Sequence, residues 1–99
     1  MTVYVLGQLS FTDRAAYNRY QNRFMGVLRK FDGRLLAADE HPTVIEGNWD
    51  REKIVLLSFP DEDAFHRFFT APEYQEIAKD RKAGADTVLL LVKGFRGQA

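Results

Sequence analysis

Residues Val44 to Pro60, VIEGNWDREKIVLLSFP, decide the fold. An apolar run enters a polar turn at Gly47-Asn48-Trp49-Asp50, and a stronger one, Ile54 to Phe59, leaves it and stops at Pro60. This pattern predicts a β-hairpin whose second strand is central to the only sheet, since proline removes a ladder donor and ends the pairing. Working backward from it, Thr43 to Glu46 forms the hairpin's first strand. It continues a short strand over Arg34 to Ala38 after a break at Asp39-Glu40-His41-Pro42.

Upstream, Val3 to Leu9 alternates as a first strand, with Val3, Val5 and Leu9 on one parity and Tyr4 and Leu6 on the other. Thr12 or Asp13 caps a helix marked by Tyr17, Tyr20, Phe24, Val27 or Leu28, and Phe31 at three- and four-residue intervals. Gly33 ends that helix as a left-handed stop. Downstream, Asp61 caps a short helix with Ala64, Phe65, Phe68 and Phe69 on its buried face. Pro72 opens a second helical segment carrying Tyr74, Ile77 and Ala78, which ends at Gly84. Asp86 or Thr87 to Lys93 is the last strand, and Gly94 to Ala99 is a polar tail.

The order β-α-β-β-α-β, with the second crossover split in two, predicts an α+β chain of the ferredoxin-like class. Its four strands form one antiparallel sheet, with all helices on one face. Ninety-nine residues, read as residues 1–99, make one domain. The other sheet face then has nothing to cover it. The runs Val3 to Leu6, Ile54 to Leu57 and Val88 to Leu91 are apolar on both parities, whereas a sheet with one wet face alternates apolar with polar. Two such sheets packed together form a symmetric homodimer. At ~25 cal/mol per Å², ~500 Å² buried by each sheet contributes on the order of ten kcal/mol before entropic costs.

Composition narrows the function classes. Fourteen basic residues balance fourteen acidic ones, so no electrostatic footprint for nucleic acid or anionic lipid exists. The absence of cysteine excludes disulfides, thiolate metal sites and a cysteine nucleophile. Val88 to Val92 is the longest wholly apolar run, too short to span a bilayer. The start, MTVYVLGQLS, lacks the basic and long apolar regions of a signal peptide, so a cytoplasmic location is expected. No Gly-rich phosphate loop and no G-x-S-x-G elbow occurs.

Several segments resemble the DUF1330 family of the dimeric α/β-barrel superfamily. They are Glu46-Gly47-Asn48-Trp49, Phe59-Pro60, Ala71-Pro72-Glu73-Tyr74-Gln75 and Arg81, together with a Gly33-Arg34 strand entry, and the resemblance runs from Val3 to Gly94. It implies a ferredoxin-like monomer and a dimer with facing sheets. Members of the superfamily include cofactor-independent monooxygenases, small isomerases, haem-degrading enzymes and regulatory ligand-binding domains. Asp39-Glu40 stand where the family has a more glycine-rich turn.

Glu46 and Arg81 are the first site candidates. Both are at element ends, where an Arg fork binds a carboxylate ligand and Glu46 serves as a base; the plainer alternative is a structural ion pair. Trp49, the only tryptophan, stacks on a ligand, lies at a dimer rim or packs as an amphipathic ring. Asn48 and Trp49 are adjacent and point apart in extended chain, so a shared cleft role is not assigned to them. His41, beside Asp39 and Glu40, is a candidate base or a solvated loop histidine, while His66 falls off the phenylalanine stripe. Two isolated histidines without cysteine argue against a transition-metal site, and no cofactor is expected. Tyr74 and the other aromatics fill the core or line an apolar pocket between helices and sheet. Together these readings describe a homodimer that binds an apolar or carboxylate-bearing metabolite. The alternatives are a cofactor-free isomerase or monooxygenase, and a non-catalytic structural or interaction module.

Overall fold

A computed structural model of the chain describes residues 1–95, so the last residues of the expected tail, 96–99, lie outside the described residues. The elements are β1 (Val3–Phe11), α1 (Arg14–Leu28) closed by a 3₁₀ turn (Arg29–Phe31), β2 (Arg34–Asp39), β3 (Lys53–Phe59), α2 (Glu62–Thr70), α3 (Pro72–Gly84) and β4 (Ala85–Lys93). The four strands make one antiparallel sheet in the order β2-β3-β1-β4, so β1 and β3 are central. This is the ferredoxin-like arrangement.

Parity sorts the side chains. Val3, Val5 and Leu9 of β1, with Leu57 and Phe59 of β3, are buried against Leu28, Phe68 and Ile77 of the helices. Asp13 and Asp61 cap α1 and α2 by accepting from the backbone N–H of Ala16 at 3.3 Å and Ala64 at 2.8 Å.

Two local expectations are corrected. The left-handed residue after α1 is Asp32, φ 64°, and not Gly33. Gly33 is needed for space instead, because a Cβ there would run into Leu28 and lie 2.8 Å from the Phe59 ring. The strand expected over Thr43 to Glu46 does not form, and β3 pairs with Arg34–Asp39 instead. The β2–β3 ladder runs up to Asp39↔Ile54, one residue from the start of β3, so the β3 edge that residues 43–46 were expected to join is already taken. Pro42 offers no N–H, Gly47 turns at φ 91°, and Ile45 is 89% exposed.

The start of α1 is bolted to the end of α3. Thr12 and Asp13 N–H groups donate to the Gly84 carbonyl at 2.9 and 3.1 Å. A Cβ on Gly84 would meet the Tyr17 backbone nitrogen and lie 2.7 Å from the Asp13 carbonyl oxygen. Backbone cannot step aside as a side-chain tip can. Gly84→Ala is therefore expected to lower stability by about 1–3 kcal/mol, measured by urea denaturation, with Gly26→Ala as the open-space control.

The face of the sheet opposite the helices carries a row read directly from the register: Ala37, Leu56, Leu6 and Leu90. Beside it lie Tyr4, Val92, Ile54 and Val88. Val88, Leu90 and Val92 are 38%, 45% and 46% exposed. Among the described residues no helix is long and apolar enough to cross a membrane, and no group of three His, Asp or Glu side chains is placed to hold a metal ion.

Candidate functional site

The helices do not close fully onto the sheet. Between them lies a cavity of about 310 Å³, inside the size range of small-molecule sites. Its roof comes from helical periodicity: Tyr17, Tyr20, Gln21 and Phe24 lie on one face of α1, Phe65, Phe68 and Phe69 on one face of α2, and Tyr74 and Arg81 two turns apart on α3. Its floor is Val5, Gly7 and Leu9 of β1, flanked by Lys53 and Val55 of β3 and by Thr87 and Leu89 of β4. Gly7 is central to that floor. With no side chain it leaves open the space between Val55 and Leu89, where a Cβ would already be 3.3 Å from Leu89 Cδ2.

The polar groups in this aromatic cavity are few. Arg81 is 7% exposed, and its Nε donates to the Tyr74 hydroxyl at 3.3 Å. No carboxylate lies within ion-pair distance of its guanidinium among the described residues. A buried charge without a counterion is costly, which makes Arg81 a functional candidate on physical grounds. The Tyr74 and Tyr20 hydroxyls are 3.0 Å apart. Two phenols sharing one hydrogen bond, with an arginine donating to the pair, leave one phenol proton for a third acceptor, whichever way the pair is oriented. Thr87 Oγ1, also on the cavity wall, is buried without a hydrogen-bond partner.

The second cation is Lys53, 5% exposed. Its Nζ donates to Gln21 Oε1 at 2.9 Å, sits 4.9 Å from the centre of the Tyr17 ring and lies 3.9 Å from Glu40 Oε2. Burial pushes its pKa down, against the pull of Glu40. Glu40 is itself gripped by the Arg14 fork at 3.0 and 2.7 Å, which holds its carboxyl below the usual range.

Burial, and secondarily Glu40, pushes the Tyr17 phenol up to about 12, and burial and Tyr74 push Tyr20 higher than ordinary tyrosine as well. Both are neutral donors at physiological pH. A raised folded-state pKa contributes stability below the unfolded value near 10, and that contribution is lost as pH rises through about 12. The thermal midpoint is therefore expected to fall across that alkaline window, and Tyr17→Phe to flatten the fall.

Of the residues singled out from sequence, Arg81 and Tyr74 meet in this cavity. Glu46 does not line it; it is exposed in the 45–47 bend, so no Glu46–Arg81 pair forms. Trp49 is across the sheet: its Nε1 donates to Gln8 Oε1 at 3.1 Å, and Gln8 has the parity opposite to the cavity floor. His41 is exposed, its backbone N–H donating to Asp39 Oδ1 at 2.8 Å in an Asx turn. Tyr17 and Tyr20 were among the aromatics expected to fill the core or line a pocket, and both line this cavity. Lys53 had a readable signal, since it shares parity with Val55, Leu57 and Phe59.

A family model described as "Domain of unknown function (DUF1330)" matches residues 2–95. No curated protein matches the chain. Among solved structures, one similar to this chain is RPA0582, a protein of unknown function from Rhodopseudomonas palustris. Its TM-score is 0.81 at 18% identity, over 97% of this chain and 84% of that one. A dimeric ferredoxin-like protein of unknown function from Jannaschia sp. CCS1 gives 0.72 at 15%, over 95% and 100%. SnoaB, a cofactor-independent oxygenase from Streptomyces nogalater, gives 0.70 at 15%, over 98% and 96%. At these identities the likeness is one of fold.

Proposed function

The chain belongs to the DUF1330 family, and from its ferredoxin-like frame we propose that it binds a small aromatic or otherwise apolar metabolite bearing a carboxylate or another acidic oxygen. The site is the cavity between helices and sheet. One observation carries this reading: Arg81 is buried at an aromatic cavity with no carboxylate of the described residues to pair it. A ligand anion supplies the missing charge. Arg81 Nη atoms, the spare phenol proton of the Tyr20–Tyr74 pair and Thr87 Oγ1 supply its hydrogen bonds. The phenylalanines of α2 and the Gly7 floor leave a slot suited to a ring.

In solution the protein is a homodimer, joined through the open sheet face whose central row is Leu56, Leu6 and Leu90. A contiguous apolar face of this kind is unusual on a monomer, and a structural relative carries "dimeric" in its description. Catalysis without a cofactor is a second reading, favoured by the same Tyr20–Tyr74 donor next to Arg81, which suits an enolate oxygen as well as a carboxylate.

The test is a thermal-shift screen of aromatic carboxylates against their methyl esters. Stabilisation by acids and not by esters, lost in Arg81→Met, supports the reading. Equal stabilisation by both, or an acid effect retained in Arg81→Met, contradicts it.

A further inference from the structure

We propose that Lys53 is a carbonyl-capturing amine, forming an imine with an aldehyde or ketone carried by the aromatic acid that Arg81 anchors. The proposal rests on the anion-binding reading for the ligand's orientation, but its nucleophile is a separate group on a separate strand. Arg81 on α3 and Lys53 on β3 both line the cavity, and Tyr17 of α1 lines it with them. Lys53 is the first residue of β3, where register pairs it with Leu9; on the other side of Leu9 stands Thr87 of β4. An aromatic ligand held at its acidic end therefore presents its substituents within a cavity that contains a primary amine.

Three features separate Lys53 from the exposed lysines 30, 79, 82 and 93. It is 5% exposed, so its ammonium has lost most of its water. Its charged neighbours are of both signs: Arg14 of α1 disfavours the cation, while Glu40 of the β2–β3 connection, at 3.9 Å, favours it. Desolvation outweighs that pull, and the neutral amine is more accessible than in an ordinary lysine. Finally, Nζ is fixed by Gln21 at 2.9 Å and by the face of Tyr17, so it is held in place at the cavity.

The step balances without a further reactant. The ammonium gives up one proton, and the neutral nitrogen forms a C–N bond to the carbonyl carbon. The carbonyl oxygen takes that proton and a second one from nitrogen, and leaves as water when its C–O bond breaks. The iminium keeps the third hydrogen and the positive charge. Glu40 is the nearby carboxylate through which the mobile proton can pass, and it faces the resulting cation.

The test uses 4-formylbenzoate with cyanoborohydride at neutral pH, followed by peptide mapping by mass spectrometry. Reductive alkylation of Lys53 at least ten-fold faster than at lysines 30, 79, 82 and 93 is expected in the native protein. Lys53→Arg should remove that one adduct and leave the others, and benzoate should compete with it. The native-protein comparison needs no variant to fold. Labelling spread over the exposed lysines, with Lys53 no faster, overturns the proposal; if benzoate still gives an Arg81-dependent thermal shift, the anion site stands without it. Rapid Lys53 labelling that is indifferent to Arg81→Met supports the amine and removes the anion anchor.

Discussion

Arg81→Met is expected to make the free protein more stable while weakening its affinity for aromatic acids. Arginine at 7% exposure, with no carboxylate of the described residues within ion-pair distance, carries the desolvation cost of a charge and recovers little of it through one 3.3 Å contact to Tyr74. Methionine keeps most of the volume and removes the charge. A gain of about 1 kcal/mol is expected, which is roughly 4–8 °C in the thermal midpoint of a domain this size. The bound state behaves oppositely. Losing charged hydrogen bonds to the ligand costs about 1.5–3 kcal/mol, or roughly ten- to a hundred-fold in Kd. A structural arginine does not separate the two quantities in this way, so differential scanning fluorimetry with and without ligand distinguishes the roles.

The other large effect concerns assembly. Leu90→Asp places a carboxylate beside Leu6 in the central row of the open sheet face. In a two-fold dimer each substitution appears twice, so two charges are desolvated for one mutation, at a combined cost on the order of 5 kcal/mol. Light scattering on the native protein is expected to give twice the chain mass of 11.4 kDa at low micromolar concentration, and on Leu90→Asp the single mass. Because Leu90 is 45% exposed in the isolated chain, the variant monomer should stay folded by circular dichroism. A native protein already monomeric at that concentration contradicts the sheet-to-sheet dimer.

The fold was legible because its signals are redundant. Period-two runs, a helical stripe, two aspartate caps and Pro72 at a helix start all point to one arrangement. The failure over Thr43 to Glu46 has a plain cause. Strand propensity is local, but a hairpin partner of β3 needs a free β3 edge, and the pairing with β2 up to Asp39↔Ile54 already occupies it. That same loop carried much of the site reading. With residues 43–46 out of the sheet, Glu46 lost the orientation a strand would have given it, and Trp49 folded back on Gln8. Arg81 and Tyr74 were recoverable because both are on a helix whose buried face was already identified. Lys53 was missed by a single residue of strand boundary. Starting β3 at Ile54 leaves Lys53 in a solvated turn, whereas starting it at Lys53 puts its amine on the core face. Thr87 and the Gly7 floor required three-dimensional neighbours, since only the register brings Val55, Gly7 and Leu89 side by side.

The cavity and its arginine are tested most directly by following the Arg81 Nε–Hε resonance, with the backbone amides, while an aromatic carboxylate from the thermal-shift screen is titrated into ¹⁵N-labelled protein. A saturable shift of the Arg81 signal, accompanied by Gly7, Thr87 and Tyr20 and absent with the methyl ester, is the expected result. Shifts confined to residues 41–50 or to the open sheet face, with Arg81 unmoved, would contradict it.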